Sequence, residues 1–560
     1  MEKQDFLVFP LCLRSFRRVA LFVLYLSGYW RLHMYLRIMC SRLGGLEGST
    51  CLRANLKSEL HPHSQHSTKN ETVFPNNIIR QFVLTLASVF EGMAISRALI
   101  TAIASLAVAV RAQAPGQAAD FNVDNATAVK YGCDAICQEV LAVSIPTDLE
   151  SIGTSFDFDF YKTADNFPGS APGSLLKLHA INSTTITGLL PGMSSYRIQY
   201  TSKDLDGKPV PATGFIAIPF TRPARDGRFP LISFAHGTSG VYRGCAPSSA
   251  PELFDYDTWI PLLLRGYAVV ATDYVGLGNN FTAHKYVSFA AHAHDLYYSV
   301  QAARQAFPTA FTDEWMSLGH SQGGGAVWKL SEYPLVQSPS SGYLGTVALA
   351  PAAKLYDMAI LVAKEILPLP NFHDYVFTGE IASLAVAVQR VFPQYNSPWL
   401  GEAMKKRIEL SEVGQFCSEA FLGLSLDLSL EELVAVNADP AKDETLKQFQ
   451  VLNAPAQGSC ASQPMLIIQG LNDTSILPAS TAAAFKDATG FGNEIHMVWY
   501  PGLDHSAVVA AAVPEWLKFI DDRFAGRIAE GFSTNRTVQP FDLVNAYAPL
   551  DLPLPLPLGL

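Results

Sequence analysis

Short, nearly unbroken apolar runs alternate with longer segments of helical spacing over much of this chain. Pro230–Ala235 (PLISFA), Tyr267–Thr272 (YAVVAT), Glu314–Leu318, Leu344–Leu349, Met465–Gln469 (MLIIQ) and Ile495–Tyr500 have the length and composition of buried strands. Between them His284–Ala306, Gly323–Glu332, Ala479–Lys486 and Val508–Phe524 carry apolar residues at helical spacing. Strands apolar on both faces and separated by helices predict an α/β fold, a mostly parallel sheet with helices on each side. Ahead of this alternation, Ser195–Ser202 and Val210–Pro219 alternate apolar and polar positions around Asp206-Gly207, a hairpin signal.

The alternation stops between residues 351 and 454, where the spacing is mostly helical and Leu355–Leu367 and Glu380–Val391 are strongly apolar. An insertion at that point of a parallel sheet is expected to form a helical cap over the carboxyl ends of the strands, where ligands bind in open α/β sheets. The core is accordingly expected over residues 191–350 and 455–530, with 115–190 as a wrapping arm of few periodic stretches and 531–560 as a tail ending in a leucine-proline run. The octapeptide Ile103–Val110 (IASLAVAV) recurs at Ile381–Val388, but nothing around it repeats. It is a coincidence of two apolar segments.

The amino terminus changes the picture of where the working protein starts. Residues 1–92 combine a basic, apolar opening with a polar run around His61–Asn70, and the apolar stretch Val19–Tyr29 is too short before Arg31 and Arg37 for a spanning helix. It fits an interfacial segment or an extra translated leader. From Met93 the order is that of a secretory signal peptide over 93–114: one positive charge at Arg97, an apolar core Ala98–Val110, and small residues before cleavage after Ala112 or Ala114. Export agrees with sequons at Asn125, Asn182, Asn280, Asn472 and Asn535, which predict a glycoprotein. Five cysteines follow the signal segment (Cys133, Cys137, Cys245, Cys417 and Cys460), and an odd number cannot all pair.

Composition bounds the partners. With 560 residues, 49% hydrophobic and 16% charged, a sizeable core is available. A formal net charge of −10 without a basic block excludes the footprint that nucleic-acid binding needs.

The chemistry concentrates in Gly319-His320-Ser321-Gln322-Gly323, where a predicted strand becomes a predicted helix. Such a turn presents a serine hydroxyl clear of the sheet, and the glycines Gly319 and Gly323 are required because side chains there would collide with strand or helix. A serine hydroxyl needs a base within hydrogen-bond reach and an acid to orient that base. Asp473 lies just beyond the strand MLIIQ, and His505 just beyond the next strand. The order Ser321, Asp473, His505, each in a loop after a strand, is that of an α/β-hydrolase. Asp504 is a weaker candidate for the acid because adjacent residues rarely point at each other, and Asp273 follows an earlier strand and is expected to be structural. For the oxyanion of an acyl-transfer intermediate the donors expected are the N–H of Gln322 and an N–H from His236-Gly237-Thr238-Ser239-Gly240, Thr238 first and Ser239 second.

Four segments in order, AHGTSGVYRGCAPS (235–248), ATDYVGLG (271–278), GHSQGGGAVW (319–328) and GQFCSEAF (414–421), resemble the fungal secretory lipase family, the lipase-A type of α/β-hydrolase. The resemblance spans about residues 130–525; residues 1–92 and the leucine-proline tail depart from it. It implies a secreted serine esterase or lipase with a helical cap, acting on acyl esters or lipids, some members on acylglycerols and others deacylating secondary metabolites. It also implies a disulfide between Cys245 and Cys417. No metal or cofactor and no obligate protein partner is expected, and a lipid–water interface is one place of action. The competing readings are a deacetylase of a secondary metabolite, a peptidase or acyltransferase on the same three residues, and a non-catalytic binding protein, whose usual mark is a missing member of the three.

Overall fold

Apolar strands that cannot face water on either side are buried in the middle of a sheet that has ten strands among the described residues. The computed structural model describes residues 116–181, 191–223, 226–527 and 531–543. The expected leader 1–92, the signal segment 93–114, the sequon at Asn182 and the leucine-proline run lie outside the described residues. In chain order the elements are α1 (Asn125–Lys130), α2 (Ala135–Ile152), α3 (Phe158–Tyr161), β1 (Leu175–Ala180), β2 (Ser194–Lys203), β3 (Pro209–Ile218) and β4 (Phe229–Ala235). These are followed by α4 (Ile260–Arg265), β5 (Ala268–Thr272), α5 (Phe289–Ala306), β6 (Phe311–His320), α6 (Gln322–Ser331) and β7 (Tyr343–Leu349). The inserted segment supplies α7 (Leu355–Leu361), which runs on as a π-helical turn over Val362–Ile366, then α8 (Val376–Val391), α9 (Glu402–Gly414), α10 (Ser418–Gly423), α11 (Leu430–Leu433) and α12 (Glu444–Asn453). The chain returns through β8 (Met465–Gly470), α13 (Pro478–Gly490), β9 (Ile495–Tyr500), α14 (Ala507–Ala511), α15 (Val513–Phe524) and β10 (Thr534–Thr537).

The strand order is β1-β2-β3-β5-β4-β6-β7-β8-β9-β10. The β2–β3 hairpin pairs antiparallel with β1 on one side and β5 on the other, and from β5 to β10 every pairing is parallel. Alternation along the parallel strands divides the core in two. Leu231, Ala348, Ile467 and Met497 face α5, α6 and the inserted helices, whereas Ile232, Val347, Ile468 and Val498 face α4 and α15, where Trp259 and Trp516 are buried. Each large apolar side chain withdrawn from water in this way contributes about 1.5–3 kcal/mol before entropy is counted.

Several elements differ from expectation. Helix α5 starts at Phe289 rather than His284, because the His284 ring turns back to the carbonyl of Val275 and Val287 takes a positive φ of 46°. The last predicted helix is broken at Ala512 into α14 and α15. The arm is more structured than its composition suggested. Helix α2 buries Cys137, Val140, Leu141, Ser144, Ile145, Asp148 and Ile152, a clean helical stripe in which Ser144 and Asp148 dilute the apolar signal and Pro146 interrupts it. That stripe packs against α10 of the insertion.

Cross-links hold arm, core and insertion together. Cys245 in the core is bonded to Cys417, while Cys133 pairs with Cys137 and Cys460 is free and exposed. Arg407, buried on α9, donates to the carbonyls of Gly132 and Leu424 and pairs through both terminal nitrogens with Asp427. The arm's Asp120 and Asp148 meet at the same place. Asp120 Oδ1 accepts the Cys417 N–H at 3.0 Å, and Asp148 accepts the N–H groups of Glu419 and Ala420 at 3.0 and 2.8 Å. Burial, then the neighbouring Asp148 and Glu419 charges, push the Asp120 carboxyl well up, and burial lifts Asp148 to about 7. The pair is stable only with a proton between them.

A pH dependence follows. The folded pKa of Asp148 stands above its ordinary value of 3.8, so the folded state binds the extra proton. The stabilisation is full in acid, below the unfolded value, and is lost as pH rises toward about 7, on the order of a few kcal/mol. Asp120→Asn keeps an oxygen for Cys417 and offers Asp148 an amide N–H that needs no proton. Its Tm at pH 8 is expected to exceed the wild type's and its stability to fall less between pH 5 and 8; calorimetry across that range showing the wild-type slope in the variant would refute the shared proton.

Candidate active site

Strand β6 ends at His320 and helix α6 begins at Gln322, which leaves Ser321 alone in the turn with φ 58° and ψ −119°. Side chains rarely occupy this backbone region, at a cost of order 1–3 kcal/mol, so the surroundings must hold it. They do: the Ser321 N–H donates to the Leu349 carbonyl at 2.9 Å, and its own carbonyl accepts from Gly325 and Ala352 at 3.1 and 3.0 Å. The turn also requires its two glycines. A Cβ at Gly319 would stand 2.3 Å from the Gly323 carbonyl oxygen, and one at Gly323 would stand 2.0 Å from that of Ala235. Nothing larger fits.

Asp473 follows β8 and His505 follows β9, neighbouring strands in the sheet. Asp473 Oδ2 accepts from His505 Nδ1 at 2.7 Å and from Gln469 Nε2 at 2.8 Å, while Oδ1 accepts the N–H groups of Ser475 and Ile476 at 2.9 and 2.8 Å. The carboxylate is wholly buried and the imidazole 13% exposed. Burial alone favours the neutral ring, but the Asp473 charge and hydrogen bond, helped by Glu380 and Asp504, outweigh it and hold His505 above the ordinary histidine value. The Nδ1–H bond to a carboxylate leaves Nε2 as the acceptor of a proton. The Ser321 hydroxyl makes no hydrogen bond with a described residue, so the geometry bonds two of the three candidates, and the residue before the third lies against His505. Catalytic bonds of this kind tighten when substrate arrives.

That residue before the serine is His320, whose role the sequence did not reveal. Its ring lies 4.5 Å from that of His505, its Nε2–H donates to the His505 carbonyl at 3.0 Å, and its Nδ1 faces the Tyr256 hydroxyl. Burial and the charge of His505 keep His320 neutral.

Two main-chain donors stand free at this point. The N–H groups of Gln322 and Thr238 make no hydrogen bond with a described residue, whereas the N–H of Gly237 is taken by the Tyr256 hydroxyl at 2.7 Å. The loop runs close against the serine: a Cβ on Gly237 would lie 3.4 Å from Ser321 Cβ. Thr238 Oγ1 is bonded to Tyr286 at 2.8 Å, and Ser239 turns its carbonyl to the N–H of Ser418. Behind the Gln322 side chain stands a buried stack of Tyr274, His284 and His292, and the amide lies 3.3 and 3.1 Å from the two imidazoles. Burial lowers His284 to about 3 and His292 well below the usual range, so this layer carries no charge.

The alternative acids have other occupations. Asp504 Oδ1 accepts the N–H groups of Ser506 and Ala507 at the start of α14. Asp273 is buried and bonded to Ser248 and Thr213. Asn472 of the sequon next to Asp473 is half-buried; Asn125, Asn280 and Asn535 are exposed. Among the described residues no helix is long and apolar enough to cross a membrane.

Over the serine sits a narrow cavity of about 20 Å³ lined by Tyr286, Val287, Leu355, Phe377, Glu380 and Leu384 among others. Phe377 and Leu384 also line a second, larger cavity of about 380 Å³ inside the insertion, with Val362, Leu367, Ile381, Trp399 and Val434 on its walls.

Residues 254–531 match the sequence profile of the secretory lipase family. No curated protein matches the chain. Among solved structures, Candida antarctica lipase A is similar with a TM-score of 0.54 and 16% identity, over 67% of this chain and 88% of that one. The same enzyme in its closed state gives a TM-score of 0.52 and 15% identity over the same shares. These likenesses show the fold, an α/β-hydrolase.

Proposed function

The chain belongs to the secretory lipase family, and from that premise we propose that it is a secreted carboxylic-ester hydrolase in which Ser321, His505 and Asp473 act as nucleophile, base and acid. The observation that carries this reading is the Asp473–His505 hydrogen bond at 2.7 Å beside a serine held in a strained turn. His505 Nε2 takes the Ser321 proton as Oγ attacks the ester carbonyl. The N–H groups of Gln322 and Thr238 receive the oxyanion, the alcohol leaves with the proton from His505, and water then releases the acid by the same steps. Since only neutral His505 acts as base, activity is expected to rise with pH through a midpoint above about 6.5, the unperturbed histidine value. A kcat/KM profile whose acid limb lies at or below that value would count against the Asp473 partnership.

The cavities bear on the acyl group. A chain bound at Ser321 would run between Phe377 and Leu384 into the larger apolar cavity, and each methylene buried there favours binding by about 0.8 kcal/mol. Lengthening the acyl chain by four carbons is therefore expected to raise kcat/KM by up to roughly a hundredfold. The narrowness of the space at Ser321 favours a second reading, a deacetylase whose acyl pocket ends at Phe377. Rates for p-nitrophenyl esters from acetyl to decanoyl, run beside triglyceride emulsions, decide between them. A steady fall beyond acetyl selects the deacetylase.

A further inference from the structure

The helix α8 of the insertion sets one carboxyl group into the space that Ser321 lines. Glu380 lines the cavity that holds Ser321 and Gln322, and also the adjoining space beside Thr238 and Gly240. Its neighbours in the first include the apolar Leu355, Phe377, Leu384 and Ile476 as well as Tyr286 and Gln322, and a buried charge there is costly unless partnered. Its partners are those of the active site. Glu380 Oε1 accepts from Ser475 Oγ at 3.0 Å, and the Ser475 N–H donates to Asp473 Oδ1 at 2.9 Å. One turn earlier on α8 the Phe377 N–H donates to the Thr474 carbonyl at 3.1 Å, so the helix grips the acid-bearing loop at two successive residues.

We propose that Glu380 is a positioning residue of the hydrolysis described above: brought over the site by the insertion, it secures the Asp473 loop through Ser475 and presents a second negative charge to His505. The inference rests on the ester-hydrolase reading of Ser321. When the serine proton passes to His505, the imidazolium gains a stabilising charge from Glu380 in addition to Asp473. The ionisable groups that face it are His505, Asp473 and Tyr286. Burial raises the Glu380 carboxyl and the His505 charge and Ser475 bond pull it back, while Glu380 in turn helps to lift His505. The base strength of His505 thereby depends on a residue that only the seated insertion supplies.

The test is the pH dependence of Ser321 phosphonylation by a fluorophosphonate probe, measured from about pH 4.5 to 8.5 with kcat/KM for an aryl ester alongside. Glu380→Gln keeps an oxygen for Ser475 but removes the charge, and its acid limb is expected to move to lower pH by about half a unit or more, with the plateau several-fold lower. Ser475→Ala keeps the charge and loosens the loop, so its plateau is expected to fall while the limb stays. A limb and plateau unchanged in Glu380→Gln, or a limb shifted equally in Ser475→Ala, overturns the proposal. Should Glu380→Gln fail to fold, Glu380→Asp withdraws the carboxyl from Ser475 and must lower the plateau; an unchanged plateau overturns the proposal. A wild-type protein that takes up no probe overturns the hydrolase reading, and this one with it. A labelled wild type whose limb ignores Glu380 overturns this one alone.

Discussion

Ser321→Ala is expected to lower kcat by about five to six orders of magnitude while leaving the fold intact. On the proposed mechanism the loss is large because the hydroxyl forms the covalent intermediate; without it His505 would have no proton to take, and what would remain is the contribution of bound orientation and the oxyanion donors, about 10³-fold over water. The fold survives for a structural reason. The Ser321 side chain makes no hydrogen bond with a described residue, and its backbone is held by Leu349, Gly325 and Ala352 through main-chain groups that alanine also has. Alanine meets the same strain at φ 58° as serine does, so Tm is expected to change little. A fluorophosphonate should label the wild type at Ser321 and the variant nowhere. A variant that is still labelled, or that keeps more than about a thousandth of the wild-type rate, would place the nucleophile elsewhere.

The elbow was legible because it is a local contract between two glycines and a strained serine, and steric exclusion writes itself into sequence. The parallel strands were legible for a similar reason: burial on both faces leaves β5 and β8 without an exposed position and β4 with only Pro230 partly exposed, so their residues are mostly apolar. Other parts depend on contacts between distant segments and leave no such trace. Glu380 sits inside an apolar helix and reads as a stray charge until the fold sets it beside Ser475 and His505, some 95 and 125 residues away in the chain. His320 occupies a position that the serine motif leaves open, and its ring partners, Tyr256 and His505, come from distant parts of the chain. The arm was underread because the stripe of α2 includes two polar residues that are buried for their hydrogen bonds to the chain around them, Ser144 to Val140 and Asp148 to Glu419 and Ala420. Strand β10 is four residues of mostly exposed polar chain whose existence rests on pairing with β9. Patterns of burial are visible from one end of a sequence to the other; pairings are visible only after folding.

The distinction between neighbouring acids yields the second large effect: Asp473→Asn is expected to lower kcat by about four orders of magnitude, and Asp504→Asn by a few-fold at most. Asp473 accepts four hydrogen bonds, from Ser475, Ile476, Gln469 and His505. An asparagine whose oxygen keeps the two main-chain donors must turn its amide N–H₂ toward Gln469 Nε2 and His505 Nδ1. The imidazole then satisfies that amide by accepting at Nδ1, which moves its proton to Nε2, and a protonated Nε2 cannot receive the proton of Ser321. The wrong tautomer, rather than lost packing, causes the fall. Asp504 uses one oxygen to accept the N–H groups of Ser506 and Ala507, which an asparagine oxygen does equally well. Its charge helps to lift His505, so its removal shifts the acid limb slightly downward and leaves the plateau. Both variants should fold, and kcat measured on an aryl ester at pH 8 separates them. If Asp504→Asn is the inactive protein and Asp473→Asn the active one, the acid has been assigned to the wrong residue, and the hydrogen bond between Asp473 and His505 has no part in the reaction.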